Sequence, residues 1–178
     1  VFGTSGMTYF SFSDILGDHQ IAFGTEMVLT LENSDYFFYY GFLKNKMDYH
    51  FVAFQNADFF NVGYYSIGRL RHYGLQGFVT YPFSRFQRLD FGLSWHNINY
   101  SILEQRYDDY NQIKYEETYS SNYSTILPTM SWVYDNSVFG FTGPIDGFRQ
   151  NTSMTISPGY GSTNLKFQTF ETDARKYW

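Results

Sequence analysis

Between Arg88 and Asn97 (RLDFGLSWHN) apolar and polar side chains alternate, so that Leu89, Phe91, Leu93 and Trp95 share one face of an extended strand while Arg88, Asp90, Ser94 and His96 share the other. One face suits hydrocarbon and the opposite face carries full charges, which is how a transmembrane β-barrel strand reads. Comparable segments follow one another along the chain, and no amphipathic helix of about ten residues stands out. We read strands at Met7–Leu16, His19–Leu31, Tyr36–Leu43, Met47–Gln55, Arg69–Tyr81, Phe86–Ile102, Asn122–Tyr134, Phe148–Ser157 and Asn164–Phe170, nine in all. Two stretches break the pattern: a looser one from Asn56 to Gly68, and an acidic one from Leu103 to Ser121 that reads as a long loop. In up-and-down order the turns at Gly17, Lys44, Pro82 and Asp135 fall on one side, and those at Glu32, Ala57, Glu104 and Gly159 on the other. The two longest irregular stretches share the second side, as the outer loops of a bacterial barrel do. The predicted fold is all-β: an antiparallel up-and-down transmembrane β-barrel, in which residues 1–178 form one partial barrel domain.

Composition agrees with that reading. Aromatic residues make up 23% of the chain and charged residues 16%, against roughly 25% charged in ordinary soluble domains. Barrels use Tyr, Trp and Phe as girdles at both lipid interfaces, where a ring sits in the apolar layer and its polar tip in the wet one. The mean hydropathy of -0.37 is compatible with a barrel, because only alternate residues face lipid. No run of about 18 apolar residues offers a transmembrane helix. The chain begins Val-Phe-Gly without a signal-like segment, so we expect a mature fragment or a piece of something longer.

Chemistry is sparse. There is no Cys, hence no disulfide and no thiolate metal site, and the net charge of -5 argues against a nucleic-acid partner. His19, His50, His72 and His96 lack metal spacing, and Asp14 with Asp18, or Asp108 with Asp109, read as solvated loop charge. No catalytic site, metal or cofactor is expected, and Asp146-Gly147-Phe148 is a turn. The set Glu26, His72, Gln76, Arg88, Asp90, His96, Arg149 and Lys166 is expected to face the lumen. It mixes both signs, so that lumen is either water-filled or crossed by ion pairs.

The segment YDNSVFGFTGPIDGFR, Tyr134–Arg149, resembles a mid-barrel turn of the bacterial outer-membrane surface-antigen barrels, the family of BamA- and TamA-like proteins. The resemblance rests on Asp135-Asn136 at a strand end, Pro144 in the turn, and Gly147 leading into a strand that starts near Arg149. Ser11–Gly24 and Tyr81–Trp95 look like the same barrel type where it follows a TolB-like propeller. The family places the long Asp135 turn on the periplasmic side, and it implies that these strands match roughly the second to the tenth of about sixteen. It further implies an outer-membrane location, contact with lipid, and a role in anchoring, polypeptide insertion or secretion with client polypeptides or other envelope proteins as partners. Two alternatives stay open: a passive pore or anchoring barrel for a periplasmic propeller protein, and a soluble β-sandwich module that binds carbohydrate through exposed aromatics.

Overall fold

The computed structural model describes residues 6–27, 33–107, 112–159 and 166–178. Alternating side chains and turn residues at regular intervals produce β1 (Gly6–Ser13), β2 (His19–Met27), β3 (Asp35–Phe42), β4 (Asp48–Gly63), β5 (Ser66–Pro82), β6 (Gln87–Tyr107), β7 (Ile113–Asp135), β8 (Val138–Phe139), β9 (Pro144–Pro158) and β10 (Lys166–Tyr177). They form one antiparallel up-and-down sheet in the order β1-β2-β3-β4-β5-β6-β7-β9-β10, with the two-residue β8 paired to β9. The nine expected strands are therefore the nine long ones. The sheet is not closed, since β1 and β10 are its two edges.

Two expectations need correction. Asn56 to Gly68 is not loose but continues β4 and β5 around a turn at Tyr64 and Tyr65. Leu103 to Ser121 is not a long loop either, because β6 runs on to Tyr107 and β7 starts at Ile113, paired from Leu103–Glu117 to Tyr107–Ile113. Glu32, Asp108 and Asp109 lie outside the described residues.

Substantial tertiary contacts run only between paired strands, so the sheet is a single layer. Among the described residues only Ala22 and Val133 are buried hydrophobic side chains. A β-sandwich needs two sheets with their apolar faces together, and that second layer is absent among the described residues.

Register fixes which side chains share a face, since directly paired residues point the same way. The pairings connect Ser13, Gln20, Gly41, His50, Phe78, Gly92, Thr129, Thr155 and Thr169 in one row across the sheet. Ser13 ends β1 on the short-turn side, yet Thr169 lies eight residues before Tyr177, the end of β10 on that side. The row thus slips about one residue per strand; with a rise of roughly 3.3 Å and a spacing of roughly 4.8 Å, the strands tilt by about 35°.

Along β6 the polarity of the faces inverts. One face carries Leu89, Phe91, Leu93 and Trp95 and then Asn97, Asn99 and Ser101; the other carries Arg88, Asp90, Ser94 and His96 and then Ile98, Tyr100 and Ile102. The paired strands follow suit, with Val79, Leu75 and Tyr73 giving way to Arg71 and Arg69, and Trp132, Met130 and Ile126 to Ser124, Asn122 and Ser120. Strands β4 to β7 therefore project beyond the apolar band. Arg69, 8% exposed, ties the projection together: its guanidinium donates to Ser101 Oγ at 3.2 Å, Asn33 Oδ1 at 3.5 Å and Glu117 Oε2 at 3.0 Å.

Arg69→Ala is expected to destabilise the projection by about 1–2 kcal/mol, the hydrogen-bonded charge pair being partly exposed at Glu117. In hydrogen exchange, amides of residues 101–107 and 113–117 should lose protection in this variant while those of 89–95 keep theirs.

Candidate functional site

Two surfaces of this sheet are candidates for function, and both follow from register. The face that carries Phe91 (the Phe91 face) is predominantly apolar from the short-turn ends to a row near Tyr36, Tyr73 and Trp95, with Gln87, Gln150 and Thr152 as uncharged polar exceptions near the short-turn side; this spans roughly eight residues along each strand, or about 22 Å after the tilt. Through that depth it presents Ile21 and Phe23 on β2, Phe38 on β3, Phe51 and Ala53 on β4, Leu75 and Val79 on β5, Leu93 on β6, Met130 and Ile126 on β7, and Met154 and Ile156 on β9. No Asp, Glu, Lys or Arg falls on this face within the band on β1 to β7 or, from Phe148 onward, on β9; Asp146 lies before it, in the turn. Phe91 is 48% exposed and Leu93 58%, so the band is an exposed apolar patch of the kind that marks an interaction surface.

Amphipathic aromatics border the band at both levels. On the short-turn side Lys46 Nζ donates to Tyr81 OH at 2.8 Å and lies 4.5 Å from the centroid of that ring, while His19 Nδ1 meets Tyr40 OH at 2.9 Å. Trp132, Tyr134 and Phe148 continue the row. At the far level Tyr73 meets Trp95 edge to face with centroids 5.9 Å apart, and the Trp95 indole N–H donates to Ser124 Oγ at 2.8 Å. The polar tips of Tyr40, Tyr81 and Trp95 each meet a polar partner, while the ring bodies join the apolar layer.

The opposite face (the Arg88 face) holds the second surface, a concavity of about 740 Å³ lined by Asp48, His50, Gln76, Thr80, Arg88, Asp90, Ser94, Ser131 and Asp135 among others. Arg88 Nε pairs with Asp90 Oδ2 at 3.2 Å, Thr80 donates to Asp90 Oδ1 at 2.8 Å, and Ser131 donates to Asn151 Oδ1 at 2.7 Å. His50 Nδ1 meets Tyr39 OH at 2.8 Å, and its ring stacks on Phe78 with centroids 4.5 Å apart. Arg88 and Asp90 compensate each other along this wall.

Seven of the eight residues expected in the lumen share the Arg88 face by register. His72 and His96 meet directly (Nε2 to Nδ1, 2.9 Å) beside Phe54, Gln76 pairs with Ser94, and Arg149 reaches Asp135 at 3.6 Å. Glu26 stands apart on β2, opposite Asp35 and Met7. Lys166 is the exception: it pairs with Pro158 and so falls on the Phe91 face, at the loop end of β10. Both faces of β10 carry aromatic and polar residues, so alternation alone could not orient it.

The histidine contact was missed because the two residues are 24 apart in sequence. Centring the β5–β6 hairpin on its turn would have found it, since that registers Gly74 opposite His96. His96 Nε2 also meets Ser94 Oγ at 3.0 Å, giving Ser94, His96 and His72 the connectivity of a nucleophile, a base and an orienting group. Catalysis by such a chain depends on donors aimed at a developing oxyanion. β6 is paired on both sides at Ser94, which commits the strand's backbone N–H groups to the ladder. Among the described residues no group of three or more His, Asp or Glu could hold a metal ion.

The turn residues Asp135, Asn136, Pro144, Gly147 and Arg149 converge. Asp135 caps Ser137 through its backbone N–H and hydroxyl, Asn136 Oδ1 accepts from Phe148 N at 2.7 Å, and Pro144 pairs with Phe139 across β8 and β9. Gly147 has φ +107°, and a Cβ there would lie 2.6 Å from the Asn136 carbonyl oxygen. The carboxylates Asp14 and Asp18 are likewise turn groups, Asp14 Oδ1 accepting from His19 N at 2.8 Å. No family model matches the chain, and no curated protein matches it. No helix among the described residues is long and apolar enough to cross a membrane, which says nothing of a β-barrel.

Gly147→Ala is expected to cost about 1–3 kcal/mol, from the left-handed backbone and the clash with Asn136 together. Gly77→Ala, where a Cβ meets nothing within 4 Å, should be neutral or slightly stabilising. Denaturant midpoints of the two variants in detergent micelles compare them directly.

Proposed function

We propose that this chain forms part of the wall of a bacterial outer-membrane β-barrel of the surface-antigen type. Its role is membrane anchoring, with insertion or secretion of client polypeptides as the activity that the BamA- and TamA-like resemblance implies. One observation carries the proposal: the Phe91 face holds a band of about 22 Å without a single ionised residue on β1 to β7, bordered on both sides by Tyr and Trp, of which Tyr40, Tyr81 and Trp95 hold polar partners at their tips. The outward apolar band of such barrels is about 25 Å tall and carries the same girdles. A strand tilt of about 35° supports the reading too, since barrel walls tilt by roughly 35–45°.

A sheet suits this task because its ladder satisfies the backbone groups that lipid cannot. On the Arg88 face the paired charges Arg88–Asp90 and Arg149–Asp135 favour a hydrated interior without a preferred ion sign. Closure of the wall requires strands to pair with the edges β1 and β10.

The chain has no cysteine, so single-cysteine spin labels test the assignment cleanly. Labels at residues 89, 91, 93 and 95 in lipid vesicles should be accessible to oxygen and shielded from a water-soluble nickel complex, and labels at 90, 92, 94 and 96 should show the reverse. Equal accessibility at odd and even positions sinks the proposal. Leu93→Arg should destabilise the vesicle-inserted protein by about 2–4 kcal/mol, whereas Ser94→Arg should cost less than about 1 kcal/mol.

A further inference from the structure

Beyond the apolar band, the Arg88 face of the projection turns aromatic at a place where, among the described residues, no second layer covers it. The Phe60 ring occupies the space above Gly68, so closely that a Cβ at Gly68 would overlap it. Tyr100 stands beside Phe60 with ring planes within 17° and centroids 6.0 Å apart, and Tyr119 closes the other side at 62° and 6.1 Å. Phe60 is 43% exposed and Tyr119 51%. Asn56 and Asp58 precede Phe60 on the same face of β4, both exposed.

We infer that this surface is a binding platform for a neutral, β-linked oligosaccharide. The exposed rings of Phe60 and Tyr119, with the half-buried Tyr100 between them, offer ring surface to the C–H face of a pyranose, and the spacing from ring to ring is comparable with the repeat of consecutive sugar rings in a β-linked chain. The amide of Asn56 and the carboxylate of Asp58 supply donors and acceptors for hydroxyls at the margin. Charge selects the class of sugar. Within the projection Arg69 pairs with Glu117, and Arg106 and Lys114 with Glu116, so its charges are largely compensated, and Asp58 beside the rings disfavours an anionic glycan. Gly68 is part of the site, because a side chain there would lift the Phe60 ring off the sheet. The inference stands on the projection alone and does not depend on what covers the Phe91 face.

The test uses the full-length protein in a sugar-free detergent, titrated with cellotetraose and with chitotetraose and followed by saturation-transfer NMR and calorimetry. Saturable binding of at least one of them is expected. Phe60→Ala and Gly68→Ala should each weaken it by about tenfold or more, while Tyr100→Phe stays within about threefold of the native protein. Unchanged heat-modifiability on gels establishes that the variants are folded. The inference is overturned if the native protein binds neither tetrasaccharide at about 10 mM, or if folded Phe60→Ala binds as tightly as the native chain. Binding of a protein that Phe60→Ala abolishes, with no response to either sugar, also overturns it and makes the platform a protein contact.

Discussion

The backbone ladder is the interaction on which everything else in this structure rests. With a single layer and two buried apolar side chains among the described residues, there is no interior whose closure could hold the strands in place. Each strand is kept by the N–H and C=O groups of its neighbours, most extensively at β5–β6–β7, where pairing runs from Pro82–Arg88 to Ser66–Glu104 and from Gln87–Tyr134 to Tyr107–Ile113. Side chains then decide where the sheet can reside rather than whether it forms. In water the Phe91 face would keep its large side chains solvated, at roughly 1.5–3 kcal/mol for each Leu or Phe left unburied.

Polar side chains reinforce the ladder without forming a core. Many of their bonds are short-range, as in Arg88 with Asp90 and Arg175 with Asp173, two residues apart on one strand, or join neighbouring strands, as in Thr129 with Thr155 and Thr125 with Ser157. Arg69 is different in reach, touching Asn33, Ser101 and Glu117. It holds the part of the sheet in which neither face belongs to the apolar band.

The strands most legible in the sequence were those with one apolar and one polar face, Arg88 to Trp95 above all, and their order and turn sides match the structure. Legibility failed where that contrast ends. From Ile113 to Ser120 (IKYEETYS) both faces of β7 are exposed, so alternation carries no signal and the segment reads as a loop. It is a strand because β6 offers a ladder, a long-range fact that no local pattern encodes. Phe167 and Phe170 in β10 have opposite parity, which put Lys166 on the wrong side. Of the concavity, the sequence revealed the charged members Arg88 and Asp90. Asp48, His50, Thr80 and Ser131 join them only through register across four strands.

The polarity inversion between Trp95 and Asn97 has a mechanical consequence. Sliding the sheet along its strands by one pleat in one direction would drag Arg71 and Asn97 into an oily slab, and in the other would lift Phe91 and Val79 out of it; each displacement is opposed by a different chemistry. In the membrane setting proposed above, a wall with this side-chain order would centre itself and require no external clamp.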